Sequence, residues 1–186
     1  RAFVDCMAEL AAEKDILLVC DEVQTGNGRT GSLYAWQQYG FTPDIMSTAK
    51  GLGGGLPIGA CLFGEKTENT LTPGTHGSTF GGSPAVCAGA LSILGRIDEA
   101  LLAQVRAKSE YLFSAFEGRP GIEQVSGLGL MIGIRTAKPA AEVVAKCMEQ
   151  GVLVLTAHGK VRLLPALNIP MELVKKAAEV IIAACA

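Results

Sequence analysis

Two apolar runs, each ending in a charged residue, constrain this chain more than any other feature. One is Val19-Cys20-Asp21-Glu22-Val23-Gln24-Thr25-Gly26, and the other is Ser47-Thr48-Ala49-Lys50-Gly51-Leu52-Gly53-Gly54-Gly55. Residues 16–20 form a continuous apolar stretch, the pattern of a strand covered on both faces of a parallel sheet. Residues 44–49 and 58–63 read as two further short strands, separated by the glycine-rich turn. Strands that carry their polar residues at their ends predict an α/β architecture with ligands outside the carboxyl ends of the strands.

Asp21 taken alone is an ordinary acid after a strand. The five apolar residues before it place it in a buried setting, where an ionised carboxylate needs a cationic partner. A protonated pyridine nitrogen is one such partner. Lys50 taken alone could be a surface lysine or a phosphate-loop lysine. The phosphate-loop pattern requires Gly before the lysine and Ser or Thr after it, whereas Ala49 and Gly51 stand there. The dinucleotide fingerprint fails on spacing as well. What remains is an amine at a strand end, with Gly51 to Gly55 leaving room for a bulky adduct. Together, an acid and an amine at two strand ends match the needs of a carbonyl cofactor carried on a pyridinium ring.

The rest of the chain supports a two-part organisation. Phe3, Met7 and Leu10 recur at helical spacing, so residues 2–13 are expected as a helix with one buried face. Helices are expected at 84–96 and 99–117, with a long polar loop over 66–83 before them; loops of that length are usually functional or held by a partner. After residue 120 the texture changes to strands at 122–125, 130–134, 152–155 and 161–164, with helices at 139–150 and near the end. The expected domains are therefore residues 1–97 of a larger α/β domain, a connecting helix at 98–119, and a small α+β domain at 120–186. A composition that is 49% hydrophobic with a formal charge of −2 allows a substantial core and gives no sign of nucleic acid or an anionic membrane as partner. No apolar run reaches the length of a membrane span. The six cysteines are scattered without a CxxC pair, which predicts free buried thiols and no metal site.

Several segments carry a resemblance. Asp21-Glu22-Val23-Gln24-Thr25-Gly26 with Gly28-Arg29-Thr30-Gly31, Pro43-Asp44-Ile45, Ala49-Lys50-Gly51-Leu52-Gly53-Gly54-Gly55-Leu56-Pro57-Ile58-Gly59-Ala60, His76-Gly77-Ser78-Thr79-Phe80-Gly81-Gly82 and Val161-Arg162-Leu163-Leu164-Pro165 occur in this order along essentially the whole chain. On these segments the chain resembles the class III (fold type I) pyridoxal-phosphate aminotransferases, in particular the acetylornithine and ornithine group. The resemblance implies a fold type I α/β chain, part of a large, mostly parallel domain followed by a small α+β domain, that binds pyridoxal 5′-phosphate.

The roles it implies are specific. Asp21 would pair with the pyridinium nitrogen, Val23 would pack on one face of the ring, and Gln24 would hydrogen-bond its phenolic oxygen. Glu22 lies in the same cofactor segment. Lys50 would hold the cofactor covalently and shuttle the proton once substrate displaces it. Thr79 would reach a neighbouring subunit's cofactor phosphate across a homodimer interface, with Ser78 directed at that neighbour's substrate. Arg162, by itself a surface arginine on a strand, would clamp the substrate carboxylate. His76 and His158 read as loop residues. In the family, the phosphate-binding turn, the ring-stacking aromatic and a further substrate arginine lie upstream of the position of Arg1. The chain is thus expected to be the carboxyl-terminal half of a cytoplasmic enzyme, binding the cofactor weakly and not turning over alone. The implied reaction moves the δ-amino group of N2-acetyl-L-ornithine to 2-oxoglutarate; ornithine, succinylornithine or another ω-amine is the alternative donor. A non-catalytic dimerisation module is the alternative of a different class.

Overall fold

The computed structural model describes all residues, Arg1–Ala186. The chain divides into two compact units, residues 1–28 with 32–98 and residues 29–31 with 99–186.

The first unit holds helix α1 (Ala2–Glu13), strands β1 (Val19–Asp21), β2 (Ile45–Thr48) and β3 (Ala60–Phe63), and helix α2 (Pro84–Leu94). The strands lie in the order β1-β2-β3, with β1 parallel and β3 antiparallel to β2. The connection over residues 22–44 is long enough for the crossover that a parallel pair requires. The connection over 49–59 falls short of the dozen or so residues a crossover takes, so β3 returns antiparallel.

Asp44 ties the three strands together. Its carboxylate accepts the Leu18 amide (2.8 Å). Its own amide donates to Leu18 O (2.9 Å), and its carbonyl accepts Gly64 N (2.7 Å). That carboxylate occupies the Leu18 amide, so pairing with β2 begins at Val19, and β1 is shorter than the apolar run predicts.

Three expectations about burial are corrected here. Phe3 is 77% exposed, Met7 and Leu10 are also exposed, and only Ala11 of α1 is buried. Helical spacing shows which residues share a face; it does not show whether another element covers that face. The run 16–20 is likewise not covered on both faces, since Val19 and Leu17 are exposed. Finally, only Cys147 and Cys185 are buried thiols, while Cys6 and Cys61 are exposed on α1 and β3. All six are free, as expected.

The second unit comprises α3 (Glu99–Phe116), β4 (Ile122–Leu128), β5 (Met131–Thr136), α4 (Ala140–Glu149), β6 (Leu155–Ala157), β7 (Lys160–Leu163) and α5 (Met171–Cys185). Its sheet is antiparallel throughout, in the order β4-β5-β7-β6. Helix α3, expected as a connector, contributes Val105, Leu112 and Phe116 to this unit's core, beside Ile132 and Ile134 of β5, Val161 of β7, and Val174 and Ile181 of α5. Gly127 stays inside β4 because of a close approach. A Cβ there would lie 2.0 Å from Met131 O, and its φ of +140° is open only to glycine.

The strand expected at 152–155 forms at Leu155–Ala157 instead. The β6–β7 hairpin pairs Ala157 with Lys160 through the two-residue loop His158-Gly159. Both loop residues have positive φ (48° and 75°), the geometry of a tight hairpin turn whose twist suits the flanking strands. Residues 150–152 form the turn that caps α4, where Gly151 takes a left-handed conformation and Val152 N donates to Cys147 O (2.9 Å).

Candidate active site

Strand β1 ends at Asp21, and the parallel register sets Asp21 beside Ser47 of β2. Two residues beyond β2 the chain enters a short 3₁₀ turn, Lys50–Gly53. Asp21 and Lys50 therefore emerge at the same carboxyl edge of the sheet, from neighbouring strands.

The carboxylate of Asp21 is exposed, not buried as the apolar residues before it suggested. At a strand terminus the side chain leaves the covered part of the sheet. It is nonetheless well held. The Val23 amide (3.0 Å) and Ser47 Oγ (2.9 Å) both donate to Oδ1. The Val23 bond first, then the Ser47 bond, and lastly the charge of Lys50 hold its pKa below the ordinary carboxylate value. The carboxylate thus stays ionised as pH falls past the usual range and protonates only below it. Replacing Ser47 with alanine is expected to move the Asp21 midpoint upward, read from a carbon-13 titration of the carboxyl resonance. An unmoved midpoint would show that Ser47 has no part in holding the anion.

Residues after Asp21 turn back on the protein. Glu22 is buried: its Oε1 accepts the Trp36 amide (2.9 Å) and its Oε2 accepts Thr25 Oγ1. Both oxygens serve the loop, so what this side chain contacts here is its own chain. Val23 is half-buried and Gln24 is exposed. Trp36 also donates from Nε1 to the Met46 sulfur (3.3 Å), which fastens the excursion over 25–43 onto β2.

Lys50 is exposed, with a left-handed backbone (φ 50°) that a non-glycine residue adopts only at some cost. Around it Gly54 and Gly55 also have positive φ, and a side chain at Gly55 would meet nothing within 4 Å. Gly53 and Gly54 instead pack closely, since a Cβ at Gly53 would lie 2.8 Å from Ile58 and one at Gly54 2.7 Å from Ile93, so of these three only Gly55 is open. Ser78 and Thr79 lie in the same unit within residues 68–82, every one of which is exposed.

Arg162 lies in the second unit, on β7 between Gly133 of β5 and Leu155 of β6. Arg29, half-buried in that unit, donates from Nη1 to Pro165 O (2.6 Å) and Leu130 O (3.2 Å). Burial first, and then the charge of Arg162, lower the pKa of its guanidinium. Arg29 and Lys108, which donates to Leu167 O (2.7 Å), together hold the segment that follows β7.

The sequence reading gave no role to Ser47, to Arg29, or to Asn27, whose Nδ2 donates to Ala49 O (3.0 Å). Ser47 was recoverable, because aligning two parallel strand ends sets it opposite Asp21. The partners of Asn27 and Arg29 had no local signal, since they lie as far as 22 and 136 residues away.

Comparison with known proteins places these features in a family. Residues 1–185 match the class-III aminotransferase family. The chain is 45% identical over 183 residues to the acetylornithine aminotransferase of Haemophilus ducreyi, covering 97% of this chain and 47% of that protein. Among solved structures, the acetylornithine aminotransferase of Elizabethkingia anophelis superposes with a TM-score of 0.87 at 33% identity, covering 95% of this chain and 47% of that one. The ornithine δ-aminotransferase of Plasmodium falciparum gives 0.86 at 33% identity, covering 99% and 49%. The chain spans about half the length of the relatives it matches. With the family matched from end to end and the acid and lysine at one sheet edge, this chain belongs to the class III aminotransferases, pyridoxal-phosphate-dependent enzymes of fold type I.

Proposed function

We propose that the full-length protein transfers the δ-amino group of N2-acetyl-L-ornithine to 2-oxoglutarate, giving N-acetyl-L-glutamate 5-semialdehyde and L-glutamate, a step of arginine biosynthesis. The observation that carries the reading is the pair of Asp21 and Lys50 at the carboxyl ends of parallel strands β1 and β2. The choice of donor rests on relatives named acetylornithine aminotransferase at 40–45% identity.

The residues fit the family cofactor. An exposed carboxylate kept ionised by two donors suits a ring cation, and an exposed amine at the same sheet edge suits a carbonyl group. Pyridoxal phosphate, when bound, supplies an electron sink for the substrate carbon that bears the amine. Asp21 would hold a proton on the ring nitrogen by charge pairing. Lys50 would bind the cofactor aldehyde and then move a proton at its Nζ. Val23 would cover one ring face, and Gln24 would donate to the phenolic oxygen. Glu22 would enter the cofactor segment through the loop it holds.

Thr79 would bind a cofactor phosphate and Ser78 a substrate, both across the interface of a cytoplasmic homodimer. Their position in a fully exposed run supports this assignment, since an exposed polar loop is available to a second subunit. Arg162 would take the substrate carboxylate by a two-pronged hydrogen bond. No helix is long and apolar enough to cross a membrane. Ornithine or another ω-amine is the second reading, favoured by solved relatives that are ornithine aminotransferases and by an ω-transaminase from Thermomicrobium roseum.

The test begins with the full-length protein, pyridoxal phosphate and borohydride reduction, followed by peptide mapping. The expected label sits on Lys50. A label elsewhere, or none, overturns the assignment; a donor panel then separates acetylornithine from ornithine.

A further inference from the structure

We propose that Asn27 is a positioning residue for Lys50, an inference that rests on the function proposed above. Asn27 is 7% exposed and sits in a loop held by its own contacts. Gly28 N donates to Leu33 O (3.1 Å), Gly26 N donates to Glu22 O (2.9 Å), and the buried Glu22 carboxylate is bound to the Trp36 amide. From this fixed point the Asn27 side chain reaches the segment that carries the lysine. Its Nδ2 donates to Thr48 Oγ1 (3.2 Å) and to Ala49 O (3.0 Å). A Cβ built on Gly51 would lie 3.5 Å from Asn27 Cβ. One side chain therefore holds the two residues that lead into Lys50, and Lys50 has a left-handed backbone that must be maintained there.

The other half of the amide is unpaired. Asn27 Oδ1 is buried without a hydrogen-bond partner. Buried acceptors are rarely left unpaired, so the residue is a poor choice for packing alone. Its backbone is also left-handed (φ 55°), a conformation that glycine adopts with no side chain and no orphan oxygen. What glycine cannot supply is the Nδ2 donor. The geometry is thus explained by the two bonds to Thr48 and Ala49, and these bear on the direction in which Lys50 leaves the sheet edge.

Two variants of the full-length holoenzyme test this. Asn27→Gly keeps the backbone conformation and removes both bonds. Asn27→Asp keeps the shape and the left-handed tolerance but turns an acceptor towards Ala49 O. Both are expected to slow borohydride-trapped capture of pyridoxal phosphate by Lys50, per folded molecule, by about 10–100-fold, the scale of a small misplacement of a reacting group. Amide hydrogen exchange over residues 49–54 should quicken in both; the melting temperature should fall more in Asn27→Asp, which buries a carboxylate against the Ala49 carbonyl, and for this reason capture is read per folded molecule.

A structural role alone would lower the melting temperature and leave the capture rate of folded protein unaltered, and that result overturns the proposal. Wild-type exchange over residues 49–54 in Asn27→Gly overturns it as well, whatever the labelling shows. If the wild-type protein takes no label on Lys50, the proposed function fails, and the exchange measurement still decides whether Asn27 holds this segment.

Discussion

Replacing Lys50 with alanine is expected to lower transamination by the full-length protein by about 10⁴-fold, the upper end of what a positioned proton-transfer group contributes. The expectation follows from the double duty proposed for one nitrogen, which holds the cofactor and then moves the proton. No other lysine occupies the carboxyl edge of β1 and β2, and the two histidines lie at residues 76 and 158, the latter in the β6–β7 turn of the second unit. The fold should be indifferent to the change. Lys50 is exposed, and alanine bears a similar penalty at a φ of 50°, so stability should stay within about 0.5 kcal/mol. Loss of activity with an unchanged melting curve is the decisive pattern. Retention of a tenth or more of wild-type turnover would remove Lys50 from the reaction.

The largest effect on stability is expected from Phe116→Ala, at about 3–5 kcal/mol. Phe116 is fully buried at the end of α3, in the cluster it forms with Val105, Leu112, the β5 pair Ile132 and Ile134, and Ile181 of α5. Deleting the ring removes its transfer free energy and leaves a cavity among fully buried neighbours that have little freedom to collapse. Against a typical domain stability of about 5–15 kcal/mol this is a severe loss. Hydrogen exchange of the β5 amides reads it directly, because those amides open with the core. Leu153→Ala is the control: it is 81% exposed and should cost well under 1 kcal/mol. If the two variants behave alike, the core of this unit lies elsewhere.

The two predictions differ in how much of their basis could be read along the chain. Lys50 was visible from local pattern alone, since an apolar run, a lysine and a glycine cluster stand in one short stretch. Helices α3, α4 and α5 were likewise visible, because the apolar stripes of α3 and α5 and the glycines that follow α3 and α4 are local properties. Strand limits were less so. The strand expected at 152–155 lies at Leu155–Ala157 because the left-handed pair His158-Gly159 sets the hairpin register, and a histidine with positive φ has no strong signature. The direction of β3 follows from connection length, yet the apolar run itself says nothing about it.

What the sequence by itself determined is the chemistry that the chain carries: an acid and a lysine at strand ends, glycines around the lysine, and a set of segments specific to one family. These are properties of residues near one another in the chain, where backbone conformation and side-chain type act directly. What only the tertiary structure decided is the environment of those groups. It exposed Asp21 and gave it Ser47 and the Val23 amide as partners. It turned Glu22 inward, uncovered the apolar stripe of α1, and brought Asn27 to Thr48 and Ala49. Burial and pairing depend on which distant elements meet a given face, and that is settled by packing and register. The identity of the proposed reactive pair was therefore local information, while the means of holding it in place was not.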